Sequence, residues 1–180
     1  MRDPTSSFPT DSLEYKLNRM DGFENLSPED RKRISYLKTR DDCMQFAKNV
    51  GVRHPHLVRA ARQRSVEVQV NSLNLDSAMR RDIWSVVYAQ EEALFVKHGK
   101  RLRAGNTRKV ITNRGELGAV AFAVQRPGGT GFELLHSLGL GDHTFEAVVL
   151  RHSEHFSSGI VEAARRKLDE RRGSDAEDVA

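Results

Sequence analysis

Apolar side chains recur at helical spacing along most of the chain. Cys43, Phe46, Ala47 and Val50 fall at i, i+3, i+4 and i+7, which places four side chains on one helix face. Thr39 with Asp42 three positions on has the form of a capping box ahead of that run, and Gly51 stands where the helix ends. Before it, Ser27-Pro28-Glu29-Asp30 supplies a capping hydroxyl, a first-turn proline and two acids, predicting a short helix to about Lys38. Pro55 opens a third helix with Leu57, Ala61 and Val68 on one face. Val66 to Val70 alternates apolar and polar residues, and this stretch reads equally as a short strand.

The longest element is predicted from Ser77 to His98, with Met79, Ile83, Val86, Val87 and Leu94 in a stripe widened by Trp84, Tyr88 and Phe95, and Gly99 as its C-terminal cap. Thr107 is placed to cap a helix through Asn113. A turn at Arg114-Gly115 follows, then Glu116 to Gln125, apolar at nearly every position from Leu117 to Val124 and read as the centre of the core. Arg126-Pro127-Gly128-Gly129 breaks that helix, and Thr130 with Glu133 repeats the capping-box pattern ahead of Phe132, Leu135 and Leu138. Asp142 is the expected cap for Phe145, Val148 and Val149. Ser157 or Ser158 opens a last helix with Ile160, Val161, Ala164 and Leu168 inward and Arg165, Arg166 and Lys167 toward water.

The fold expected is an all-α orthogonal array of seven to nine helices, one long helix at its centre. Residues 1–26 read as a mobile arm, 27–172 as a single helical domain and 173–180 as a disordered acidic tail. At 180 residues and 38% hydrophobic, the chain suffices for one ordinary domain. One cysteine cannot make an internal disulfide, and no Cys/His cluster has zinc-finger spacing. The first thirty residues lack the basic start and apolar run of a signal peptide, and nowhere do eighteen apolar residues follow one another, so a cytoplasmic location is expected.

Charge changes the picture more than composition does. Residues 1–28 hold three bases against five acids, and residues 173–180 hold three acids and no base. The whole-chain net of +4 therefore leaves +9 on residues 29–172. From Ala93 to Gly115 there are seven bases, Lys97, Lys100, Arg101, Arg103, Arg108, Lys109 and Arg114, and no acid. Such a run is a solvated helix end, a phosphate-contact surface or a docking patch for an acidic partner. Arginine bridges phosphate oxygens in a fixed fork, and Gly99 and Gly105 let backbone approach a polyanion. The two helices joined at Gly115 have the form of a helix-turn-helix, but the second is too apolar to read a groove. Any nucleic-acid contact falls to the first helix and its basic lead-in, assisted by Arg59, Arg62 and Arg64.

Other chemistry is weaker. His143, Glu146, His152, Glu154 and His155 lie within thirteen residues, and the pairs His143/Glu146 and His152/His155 have helical spacing for a metal-dependent hydrolase. No third pair fixes a site, and the histidines read as exposed or capping residues. Cys43 sits on an apolar face and reads as buried, not nucleophilic. Glu91 and Glu92 read as helix surface, His54 and His56 as part of a turn, and Ser153 beside a histidine makes no triad. No cofactor or metal is expected.

The stretch KHGKRLRAGNTRKVITNRGELGAVAFAVQRPGGTGFELLHSLGLGDHTFEAVVLRHSEHFS resembles a bacterial group of small all-helical proteins and domains. The likeness covers roughly residues 40 to 170 and is strongest at Lys97 to Arg114 and Phe145 to Phe156. It implies a bacterial helical domain whose basic turn matters, and it brings no activity with it. The expected function is non-enzymatic binding of nucleic acid, DNA first, with docking on an acidic protein partner as the alternative and no membrane contact.

Overall fold

The computed structural model describes residues 26–127 and 130–177. Among these residues the chain forms eight α-helices and no strand: α1 Pro28–Ser35, α2 Arg40–Val50, α3 Pro55–Asn71, α4 Ala78–His98, α5 Gly105–Gln125, α6 Thr130–Ser137, α7 Phe145–Arg151 and α8 Ser158–Glu177, with 3-10 turns at Gly51–Arg53, Gly141–His143 and Ser153–His155. An all-α multi-helix array is thus the architecture. No helix among the described residues is long and apolar enough to cross a membrane.

Local signals set most helix starts. The Ser27 hydroxyl accepts from the Asp30 N–H with Pro28 in the first turn, and Thr39 and Asp42 make a complete capping box. Hydrogen bonds from Thr39 and from backbone N–H groups hold the Asp42 carboxyl below its ordinary range. Ser77 caps α4, and Gly99 ends it in the left-handed conformation, its N–H donating to the Phe95 carbonyl.

Tertiary contacts decide where local signals conflict. The Val66–Val70 alternation lies within α3, because Val66 and Val70, four apart, both bury against Ala89 and Ala93 of α4 and Leu135 of α6. Helix α7 is capped by Thr144, whose hydroxyl accepts from Ala147 N–H, while Asp142 lies in the preceding 3-10 turn. Helix α5 begins at Gly105 with no side-chain cap, two residues before Thr107. Leu26, assigned to the arm, is 4% exposed among Ile34, Leu57, Ala60 and Ala61; residues 1–25 lie outside the described residues. Helix α8 continues to Glu177, into the stretch read as a tail, since extending an existing helix needs no new nucleus. Residues 178–180, like Gly128 and Gly129, lie outside the described residues.

Helix α4 is the hub, packing against α3, α5, α6 and α7, with α2 laid on α3 and α8 on α7. Its Ile83, Val86 and Val87 join Val120 and Val124 of α5, Phe145, Val148 and Val149 of α7 and Ile160 and Ala164 of α8 in the largest cluster. Of the apolar 117–124 segment, Ala119, Val120 and Val124 are buried in this cluster and Ala121 and Ala123 pack against it, while Leu117 at its start is 39% exposed.

Three acids of α4 are buried, and each is matched to bases arriving from another helix. Asp82 accepts from Arg151 and His152 of the α7 end at 3.1 and 3.0 Å. Glu91 takes Arg108 of α5 at 2.8 Å, and Glu92 takes Arg40 of α2 at 2.7 Å. Buried carboxylates persist only when paired in this way, so these pairs fix how the surrounding helices sit on the hub.

Helix α5 is two helices in one. Gly115 has φ 72° and ψ 170°, a region open essentially to glycine alone. Gly115→Ala is expected to cost about 1–3 kcal/mol, read in a thermal melt against Gly105→Ala, where φ is not positive and no atom crowds an added methyl. Equal melting of the two variants would refute a strained turn at Gly115.

Candidate functional site

After Gly99 the chain turns back along α4, held by consecutive residues of that helix. The Gln90 side-chain oxygen accepts from Thr107 Oγ1 at 2.6 Å. The Glu91 carboxylate accepts from Ala104 N–H at 3.1 Å and from Arg108 Nε at 2.8 Å. Farther along, Glu116 accepts from Arg80 Nε and Nη2 at 2.9 and 3.1 Å and from Trp84 Nε1 at 2.9 Å. The first half of α5 therefore runs antiparallel to α4, with Ala104 and Ile111 turned inward.

This arrangement divides the seven expected cations. Arg108 faces the protein: besides its ion pair it stacks over Trp84 and Tyr88, 5.3 and 5.4 Å from their ring centres. Burial pulls its pKa down, but the hydrogen bond and charge of Glu91, with Tyr88, outweigh that and raise it. Its guanidinium is thus engaged by the protein's own groups. Lys97, Lys100, Arg101, Arg103, Lys109 and Arg114 are exposed and make no ion pair among the described residues. Arg114 lies 4.3 Å from the centre of the Phe122 ring.

Arg126, which the sequence marks only as part of a helix break, approaches the same ring to 5.3 Å. Two adjoining hollows connect these groups. One of about 550 Å³ lies between Arg103, Leu102, Leu94 and Leu134. The other, of about 140 Å³, is lined by Val110, Phe122 and Arg126. Asn106 and Thr107 line both, so the two hollows adjoin at the start of α5, with Arg103 at one and Arg126 at the other.

The expected helper arginines line neither hollow. Arg59 packs against the Gly139 backbone. Arg64 donates to the Leu37 carbonyl at 3.0 Å and pairs with Glu67. Arg62 lines a separate cavity among α2, α3 and α4.

Within the histidine cluster His155 and Glu154 are exposed, as expected, whereas His143 and His152 are turned into the protein. His143 is 8% exposed, its Nδ1 3.1 Å from Ser85 Oγ, while Ser85 Oγ donates to the Asp82 carbonyl at 2.7 Å. His152 faces Asp82 at 3.0 Å. Glu146, also buried, pairs with Lys167 at 3.0 Å, turning that lysine inward from the water-facing position expected for it. No group of three His, Cys, Asp or Glu residues among the described residues is placed to hold a metal ion. Burial pushes the Cys43 thiol up to about 12, which keeps it protonated and non-nucleophilic at neutral pH.

Comparison of the chain with protein-family models, with curated proteins and with solved structures finds no match.

Proposed function

We propose that the protein binds nucleic acid non-enzymatically, through phosphate contacts from Lys97, Lys100, Arg101, Arg103, Lys109 and Arg114, joined by Arg126. One contrast supports the reading. Arg40, Arg80, Arg108, Arg151 and Lys167 are held by the chain's own carboxylates, whereas these six cations lie in a stretch without an acid and have no ion pair among the described residues. Contacts of this kind position a duplex without reading its bases.

Fluorescence-anisotropy titration of a labelled DNA duplex at rising salt tests the proposal. If most of the six cations engage phosphates, the logarithm of the binding constant falls against the logarithm of salt with a slope of about −3 to −5. A slope near zero, or no binding at low salt, refutes it.

The aliphatic wall of Leu94, Leu102 and Leu134 beside Arg103 favours a second reading, an acidic protein segment with an apolar anchor. Co-purification with a protein that survives nuclease treatment distinguishes it.

A further inference from the structure

Another cavity, of about 560 Å³, opens among α2, α3 and the C-terminal part of α4, on residues that line neither of the hollows beside the cationic segment. Its walls are apolar: Met44 and Ala47 from α2, Val58 and Ala61 from α3, Phe95 and Val96 from α4. That volume and lining fall within the range of small-molecule sites.

The charges lining the cavity do not cancel. Arg40, Lys48 and Arg62 face Asp41 and Glu92, one cation in excess. Glu92 accepts through Oε1 from Arg40 Nε at 2.7 Å, Ser65 Oγ at 2.9 Å and Gln69 Nε2 at 3.4 Å. Arg40 is thereby committed, and it also lies over the Phe95 ring. Asp41 and Lys48 are exposed at the rim.

Arg62 is the remainder. It is half-buried and has no hydrogen-bond or ion-pair partner among the described residues. Burial lowers its pKa, against the opposing charge of Glu92 and with the added repulsion of Arg59. A partly desolvated guanidinium without a partner, set in an apolar hollow, is suited to a bidentate carboxylate.

We propose that this cavity binds a small amphiphilic monoanion, an aliphatic or aryl carboxylate, with its carboxylate on Arg62 and its apolar body against Met44, Val58, Phe95 and Val96. A neutral ligand would leave the guanidinium unpaired. A dianion would exceed the single uncompensated charge and meet Asp41 at the rim. The site stands apart from the nucleic-acid proposal, and the failure of either leaves the other intact.

The test is calorimetric titration of the full chain with octanoate, with 1-octanol as the neutral counterpart of equal chain length. Octanoate should bind one saturable site and octanol more weakly. Arg62→Met should weaken octanoate about tenfold or more, the loss expected for a hydrogen bond to a charged group, and leave octanol unchanged. Arg62→Lys should recover part of the loss. Met44→Trp, which fills the cavity from an apolar wall, should weaken both ligands and provides a second route if the Arg62 variants fold poorly. The proposal is overturned if octanoate shows no saturable binding below its micellar concentration, if octanol binds as tightly, or if both Arg62→Met and Met44→Trp, folded by circular dichroism, bind octanoate like the wild type.

Discussion

Replacing Glu92 by alanine is expected to lower the melting temperature by roughly 10 °C, the shift that follows from about 3–5 kcal/mol in a domain of this size. The double change Glu92→Met with Arg40→Met should melt within a few degrees of the wild type. Glu92 is 1% exposed, and its partner Arg40 has a side chain 10% exposed. Removing the acid alone strands a guanidinium in a region whose dielectric gives it nothing in return. Removing both leaves an apolar junction filled to similar volume, and such replacements are neutral or stabilising elsewhere. Ser65, fully buried, loses its acceptor in either case. That loss is smaller, since a helical serine hydroxyl can turn to the carbonyl four residues back. Paired thermal melts decide the matter. A double variant as unstable as the single one would mean that the hydrogen bonds to Ser65 and Gln69, and not charge balance, make Glu92 necessary.

The same residue shows why part of the fold is legible in sequence and part is not. Helix starts depend on contacts three residues apart, so Ser27, Thr39 with Asp42, and Ser77 reveal themselves in a linear reading. The left-handed stop at Gly99 and the break at Gly115 are local in the same way. Glu91 and Glu92 are different. Two adjacent acids on a helix usually face water, and nothing near them in sequence points to Arg108, 17 residues on, or Arg40, 52 residues back. The available signal is indirect: α4 has apolar residues on so many sides that some of its acids must lie inside. His143 and His152, expected at the surface, lie inside for the same reason, their partners being 58 and 70 residues away. At the candidate surface the sequence identifies which residues carry charge, but the direction of each side chain depends on how α5 lies along α4. Arg108 is turned inward by Glu91 and two aromatic rings of α4, whereas the contact of Arg126 with Phe122, four residues back, is local to α5.

That division makes the cationic segment separable by mutation. Lys100→Glu with Arg101→Glu and Arg103→Glu should leave the melting temperature unchanged, because all three side chains are exposed and make no ion pair among the described residues, and exposed substitutions rarely move stability by more than about 0.5 kcal/mol. The same triple reversal should reduce affinity for a DNA duplex by at least about a hundredfold at low salt and flatten the salt slope by about three, one unit for each phosphate no longer neutralised. Arg108→Glu should do the opposite. It sets a second carboxylate against Glu91, whose side chain is 9% exposed, and strips the guanidinium from Trp84 and Tyr88, at a cost of roughly 3 kcal/mol in stability. Arg108→Gln, neutral and able to donate to Glu91, should fall between in stability and bind DNA like the wild type. Anisotropy and thermal melts on the same preparations separate the two roles. If Arg108→Gln, still folded, loses DNA as completely as the triple variant, the inward assignment of Arg108 fails. If the triple variant binds with unchanged salt dependence, the exposed cations are a solvated helix end and nothing more.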